Sequence, residues 1–155
     1  MNLPNRLTVL RVCMVPVFVV FMLWNGLGSS AKYVAAVIFI LASMTDWLDG
    51  YLARKNNLVT DFGKFMDPIA DKLLVCSAMI CLVEKGALPA WIVIIIIGRE
   101  FIISGFRLVA SDKGVVIAAS YWGKFKTVSQ MLMVILLILD LGGVFNTIAQ
   151  VLVWA

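Results

Sequence analysis

Apolar residues dominate this chain in long runs, broken by short polar clusters. Val12 to Ala31 carries no charge over 20 residues, about the length a helix needs to cross a bilayer. The pattern predicts a first span there, ending near Asn25–Gly28. A second apolar segment runs from Tyr33 to Arg54, a third from Phe62 to Val83 and a fourth from Pro89 to Ala110. Pro89 is suited to a helix start, where no backbone donor is needed. The fifth runs from Tyr121 to Leu139. Gly142–Gly143 then predict a turn, and Val144 to Ala155 begins a sixth helix of 12 residues. That piece is too short to cross and is expected to be a truncated span. Met1 to Arg11 places two arginines among apolar residues and reads as a short amphipathic surface helix leading into the first span. It lacks the cleavage pattern of a signal peptide. The expected fold is all-α: a polytopic membrane helical bundle, with the amphipathic helix, five full spans and the truncated sixth. Residues 1–155 form a single membrane domain in this reading.

Composition supports the bilayer as solvent. The chain is 63% hydrophobic and 14% charged, against roughly 45–50% and 25% in soluble domains. Histidine is absent, which excludes His-based triads and His-ligated zinc. Cys13, Cys76 and Cys81 sit inside apolar runs without a CxxC motif and read as small buried hydrophobes. The net charge of +4 points to cytoplasmic loops and anionic partners, not to nucleic acid. With alternating spans, only Lys32 and Lys85 among the 13 Lys and Arg fall on the side opposite the N-terminus. The positive-inside rule therefore places the N-terminus in the cytoplasm.

The same alternation brings charged ends of the second to fifth segments to one leaflet. Asp46, Asp49, Asp67, Asp71, Arg99, Glu100, Arg107, Lys124 and Lys126 then belong to one membrane face, where ionisable groups are expected to line a watery cavity. Asp46 and Asp49 are three apart and share a helix face; Gly50 and Ala53 extend it. Gly63, Asp67 and Asp71 recur at intervals of four. A single carboxylate at a helix end is ordinarily solvated or paired. Four on two matched stripes need cations. Oxygen donors without His or Cys select Mg²⁺ or Mn²⁺, and four carboxylates suffice for two ions. Gly50, Ala53 and Gly63 leave room for a bulky phosphorylated ligand. Asp61 reads as a cap for the third helix and stands outside the site.

The run Asp46-x2-Asp49-Gly50-x2-Ala53-Arg54-x8-Gly63-x3-Asp67-x3-Asp71 resembles the signature of the CDP-alcohol phosphatidyltransferases, with every position present at its spacing. The resemblance implies a six-helix membrane enzyme, usually a homodimer. It would move a phosphatidyl or similar group from a CDP-linked donor to an alcohol and release CMP, with Mg²⁺ or Mn²⁺. It implies Asp46, Asp49 and Asp67 as metal ligands, with Asp71 at the metal site as general base. Asp49, Gly50, Ala53, Arg54 and Gly63 would bind the CDP moiety. The first five spans are covered; the short sixth departs from the pattern.

Arg107, Lys124 and Lys126, with Arg99 at the edge of the group, suit an anionic acceptor such as a phosphorylated alcohol. Their alternative role is contact with lipid headgroups. The opening Asn2-Leu3-Pro4-Asn5-Arg6-Leu7-Thr8-x2-Arg11 and the run from Gly98-Arg99-Glu100 through Arg107 to Gly123-Lys124-x-Lys126-Thr127 resemble the glycerol-3-phosphate branch of the family. That resemblance implies CDP-diacylglycerol and glycerol 3-phosphate as substrates. Arg11, Arg107, Lys124 and Lys126 are then the candidates for the glycerol-phosphate pocket. Glu100 shares a helix face with Arg107 and is expected to pair with a cation. Other acceptors remain open: those of cardiolipin, phosphatidylserine or inositol phosphate synthases. A cation-coupled transporter is the alternative of another class, although it predicts charges on both sides of the midplane. The expected location is the cell membrane, multi-pass, with the active site facing the cytoplasm.

Overall fold

A computed structural model describes residues 3–56, 61–115 and 121–154. Six α-helices account for nearly all of it: α1 Leu3–Leu23, α2 Ser29–Lys55, α3 Asp61–Glu84, α4 Ala90–Asp112, α5 Tyr121–Leu139 and α6 Gly143–Trp154. No strand occurs among the described residues. The chain forms two compact units, Met1–Cys81 and Leu82–Ala155.

In the first unit, α1 and α2 pack as a hairpin. A 3-10 turn over Asn25–Leu27 joins them, and Gly28 takes the left-handed φ of 56° that reverses the chain without a side-chain penalty. On α1, the residues Asn5, Thr8, Arg11, Val15, Phe18 and Met22 are all buried and recur every three or four positions. On α2, Ala31, Ala35, Phe39, Ala42 and Asp49 are buried with the same spacing, and Asp46 falls between the last two. This is the spacing of a helix–helix seam, and α1 and α2 are in contact along it. Phe18 meets Phe39 across it with ring centroids 5.9 Å apart. Three alanines on the α2 side let the backbones approach, which matters in lipid because close packing replaces the hydrophobic effect as the attraction between helices. A third stripe on α3, Gly63, Ala70, Leu74, Ala78 and Cys81, is buried as well.

One boundary differs from the sequence pattern. The expected surface helix over residues 1–11 and the first span are one unbroken helix, α1. Nothing between Arg11 and Val12 stops helical hydrogen bonding, and the charge of Arg11 is neutralised by neighbours instead of by water.

In the second unit, α5 and α6 pack through Met133, Val134, Leu137 and Ile138 against the side that carries Ala149 and Val153. Asp140 (φ 43°) and Gly142 (φ 74°) make the turn between them, and the Asn146 amide donates to Asp140 Oδ1 at 2.9 Å. Pro89 precedes α4, whose N-terminal Ile92 and Val93 are buried. Trp91 contacts Trp154, with centroids 5.8 Å apart.

Large apolar side chains lie bare along the helices: Ile94, Ile102 and Phe106 of α4 are each about 70% exposed. So much stranded apolar surface suits lipid, not water. The hydroxyls obey the same constraint. Ser43, Thr45, Ser77 and Thr127 each donate to the carbonyl four residues back, so none asks the bilayer for a partner. Among the described residues, Asn5–Leu23, Ser29–Leu52 and Tyr121–Leu139 are long and apolar enough to cross a membrane. At 24 and 23 residues, α3 and α4 have the length, but Asp67, Asp71 and Lys72 interrupt one, and Arg99, Glu100 and Arg107 the other. The protein is an all-α membrane helical protein.

The α1–α2 seam generates a test. Ala35 is fully buried, whereas Val37 is 54% exposed. Ala35→Leu should destabilise the hairpin by about 1–3 kcal/mol through overpacking, read as a lowered thermal midpoint in detergent. Val37→Leu should stay within about 0.5 kcal/mol of the parent.

Candidate active site

The half of the α1–α2 seam nearer the N-terminus changes from apolar to charged without leaving its stripe. Arg11 follows Val15 on α1, and Asp46 and Asp49 follow Ala42 on α2. Helical phase alone therefore turns these three toward one another. The Arg11 guanidinium forks between the two carboxylates. Its Nη1 donates to Asp46 Oδ1 and its Nη2 to Asp49 Oδ2, both at 2.7 Å. Arg11 has no exposed side chain, Asp49 keeps 2%, and Asp46 keeps 36%. One turn earlier on α1, the fully buried Thr8 hydroxyl donates to Asp67 Oδ1 of α3 at 2.5 Å. The α1 helix thus reaches aspartates on both of the other helices.

The four sequence-predicted aspartates are gathered in this unit. Asp67 lies within electrostatic range of Asp46 and Asp49, and Asp71 of Asp46. Asp71 is half-buried, one turn along α3 from Asp67 and beside Lys72. Gly63 is buried on the α3 stripe and Gly50 is half-buried next to Asp49. The side chains of Ala53, Arg54 and Asp61 lie outside the described residues, so their expected roles at the nucleotide and at the helix cap do too.

Among the described residues, no three carboxylates converge closely enough as they stand to hold a metal ion. The donors nevertheless fit a hard divalent cation. They are carboxylate oxygens only, and the four carboxylates outnumber the nearby cations Arg11 and Lys72. Asp49 Oδ1 is buried and has no hydrogen-bond partner. A buried anionic oxygen left in that state is costly, and a cation would satisfy it.

The cations of the second unit are arranged differently. Lys126 pairs with Glu100, which also accepts from Arg99 Nη1 at 2.9 Å. Glu100 does pair with a cation, as its position suggests, but with these two and not with Arg107. Arg107 is exposed on α4, and its Nη2 reaches the bare face of Gly123 on α5. Lys124 lies over the Tyr121 ring, 5.6 Å from its centre. Arg11, grouped with these residues by the sequence pattern, belongs to the first unit and spends its charge on Asp46 and Asp49.

A sequence model of the family described as CDP-alcohol phosphatidyltransferase matches residues 1–155. The chain belongs to that family. A CDP-diacylglycerol–glycerol-3-phosphate 3-phosphatidyltransferase of Bacillus subtilis is 51% identical over 148 residues, covering 89% of this chain and 77% of the relative. One of the same name from Rickettsia typhi is 40% identical over 157 residues, covering 99% and 87%. A probable phosphatidylglycerophosphate synthase of Mycobacterium tuberculosis (strain H37Rv) is 44% identical over 155 residues, covering 99% and 74%. This phosphatidyltransferase is an enzyme of a generally divalent-metal-dependent family.

Sequence reasoning missed the part played by Thr8 and gave Arg11 another. A signal was present: Thr8 and Arg11 are three apart on one helix, as Asp46 and Asp49 are on the next. Burial ranks the two carboxylates that Arg11 holds. Asp49→Ala leaves the buried guanidinium half-paired and should cost about 3–5 kcal/mol. Asp46→Ala, at a more exposed carboxylate, should cost less than half of that. Thermal unfolding of the detergent-solubilised protein measures both.

Proposed function

We propose that this phosphatidyltransferase moves the phosphatidyl group of CDP-diacylglycerol to glycerol 3-phosphate, giving phosphatidylglycerophosphate and CMP. The observation that carries this reading is the conjunction of the four signature aspartates with relatives so named over almost the whole chain. The enzyme acts as a multi-pass homodimer in the cell membrane, its acidic site facing the cytoplasm. The clustering of Lys and Arg on the N-terminal side supports that orientation.

In this reading Asp46, Asp49, Asp67 and Asp71 hold two Mg²⁺ or Mn²⁺ ions, which supply charge neutralisation at the pyrophosphate and acidify the attacking hydroxyl. Gly50 and Gly63 present bare backbone to the cytidine nucleotide, together with Ala53, and Arg54 offsets charge on the departing phosphate. Asp71 takes the proton from the acceptor hydroxyl. The hydroxyl oxygen then bonds to the phosphorus that carries diacylglycerol, and the bond from that phosphorus to the CMP oxygen breaks. Arg107, Lys124 and Lys126 bind the phosphate of the acceptor; Arg suits it through two parallel donors. Positioning and charge stabilisation provide most of the acceleration in such transfers.

Purified protein given CDP-diacylglycerol and labelled glycerol 3-phosphate should release CMP and form phosphatidylglycerophosphate only with Mg²⁺ or Mn²⁺ present. Turnover that survives chelation overturns the metal reading. Faster turnover with serine, inositol phosphate or phosphatidylglycerol overturns the acceptor. Two substitutions separate the roles. Asp71→Asn should lower kcat by about 10²-fold or more. Arg107→Ala should raise the KM for glycerol 3-phosphate by about tenfold, equivalent to ~1.4 kcal/mol, with little change in the KM for CDP-diacylglycerol.

A further inference from the structure

The amino-terminal half of α1 carries no aspartate, yet it touches three of them. Thr8 and Arg11 are both without exposed surface, and neither faces lipid or solvent. Between them they hold one oxygen on each of three carboxylates. Thr8 Oγ1 binds Asp67 Oδ1, Arg11 Nη1 binds Asp46 Oδ1, and Arg11 Nη2 binds Asp49 Oδ2. The other oxygen of Asp49 is buried and unpartnered.

We propose that Thr8 and Arg11 are positioning residues of the acidic site: α1 clamps one oxygen on each of Asp46, Asp49 and Asp67, so that the remaining oxygens are aimed at the divalent cation. This rests on the reading that these aspartates hold the cation.

The chemistry of the two clamps suits that task. A guanidinium offers two donors at a fixed separation in one plane. Bridging Asp46 and Asp49, it sets the spacing of two carboxylates one turn apart on α2. An ammonium in the same place would supply charge without spacing. The Thr8 hydroxyl fixes the rotamer of Asp67 and adds no charge. Partners of this kind, bound to the far oxygen of a ligating carboxylate, tune metal affinity by about 10–100-fold. Arg11 could instead be a stand-in that the cation must expel. The geometry points against this, because the orphaned oxygen of Asp49 is not the one that Arg11 uses.

The test is a Mn²⁺ titration of the detergent-solubilised full chain without lipid substrate, with free Mn²⁺ followed by electron paramagnetic resonance. Thr8→Val and Arg11→Lys should each weaken Mn²⁺ binding about tenfold or more, and Thr8→Ser should restore the parental affinity. Parental affinity in Thr8→Val and in folded Arg11→Lys, whatever their thermal midpoints, overturns the proposal and leaves these residues a purely structural part. Tighter binding in Arg11→Gln overturns it in favour of the expelled stand-in. If the Arg11 variants do not fold, the Thr8→Val and Thr8→Ser pair decides alone. A parent protein that binds no Mn²⁺ sinks the underlying metal reading, a result distinct from a parent that binds and variants that bind equally.

Discussion

A guanidinium with no exposed surface sits between two carboxylates of a neighbouring helix, and most of the first unit is arranged around it. Removing three charged groups from water is expensive. Two contacts at 2.7 Å, Arg11 Nη1 to Asp46 and Nη2 to Asp49, offset part of that expense, while Arg11 Nε and Asp49 Oδ1 stay buried without a hydrogen-bond partner. The bond also fixes register. Helices apolar on all sides slide and rotate in lipid at little cost, because no face is preferred over another. A slip of one turn between α1 and α2 toward Ala42 would set Arg11 against Ala42 and Asp46 and leave the buried Asp49 carboxylate unpaired. A buried polar contact of this kind is a well-attested way to specify register. The ion trio thus fixes which apolar residues meet, and Phe18 finds Phe39 as a consequence.

The acidic site inherits its shape from the same seam. Small residues at Ala31, Ala35 and Ala42 bring α1 and α2 close, and the stripe that holds them continues into Asp46 and Asp49. Structure and chemistry share one helical face. The α3 stripe behaves alike: Ala70 and Leu74 pack, and the same face leads back through Asp67 to Gly63. Arg11 and Lys72 together do not balance the four carboxylates assembled there, and the surplus of negative charge is the physical basis for reading the unit as the site of a cation-assisted phosphatidyl transfer.

The second unit solves a different problem. Its helices present large apolar side chains to lipid, and its ionisable residues compensate one another at the surface: Glu100 with Arg99 and Lys126, and Lys124 with the Tyr121 ring. Arg107 is exposed, with its Nη2 near the bare face of Gly123. A cation with unspent hydrogen-bonding capacity suits an anionic group of a ligand better than one already paired.

The long apolar runs, the breaks at Asn25–Gly28 and Gly142–Gly143, and Pro89 ahead of α4 made the helices legible, because each signal acts within a few residues. The pair Asp46 and Asp49, and the series Gly63, Asp67 and Asp71, were legible as stripes because helical phase is a local property. Asp71 drifted from the packed α3 face because a repeat of four overshoots a turn of 3.6 residues. What the sequence left open was the partner of each stripe. The spacing of Thr8 and Arg11 puts them on one face of α1, but nothing local says which helix that face meets, and an arginine in a presumed surface helix reads as a phosphate ligand. Only packing across the hairpin turned it onto Asp46 and Asp49. Local chain geometry determines which residues share a face. Which faces meet is decided by burial and pairing between segments far apart in the chain, and that is a property of the tertiary structure alone.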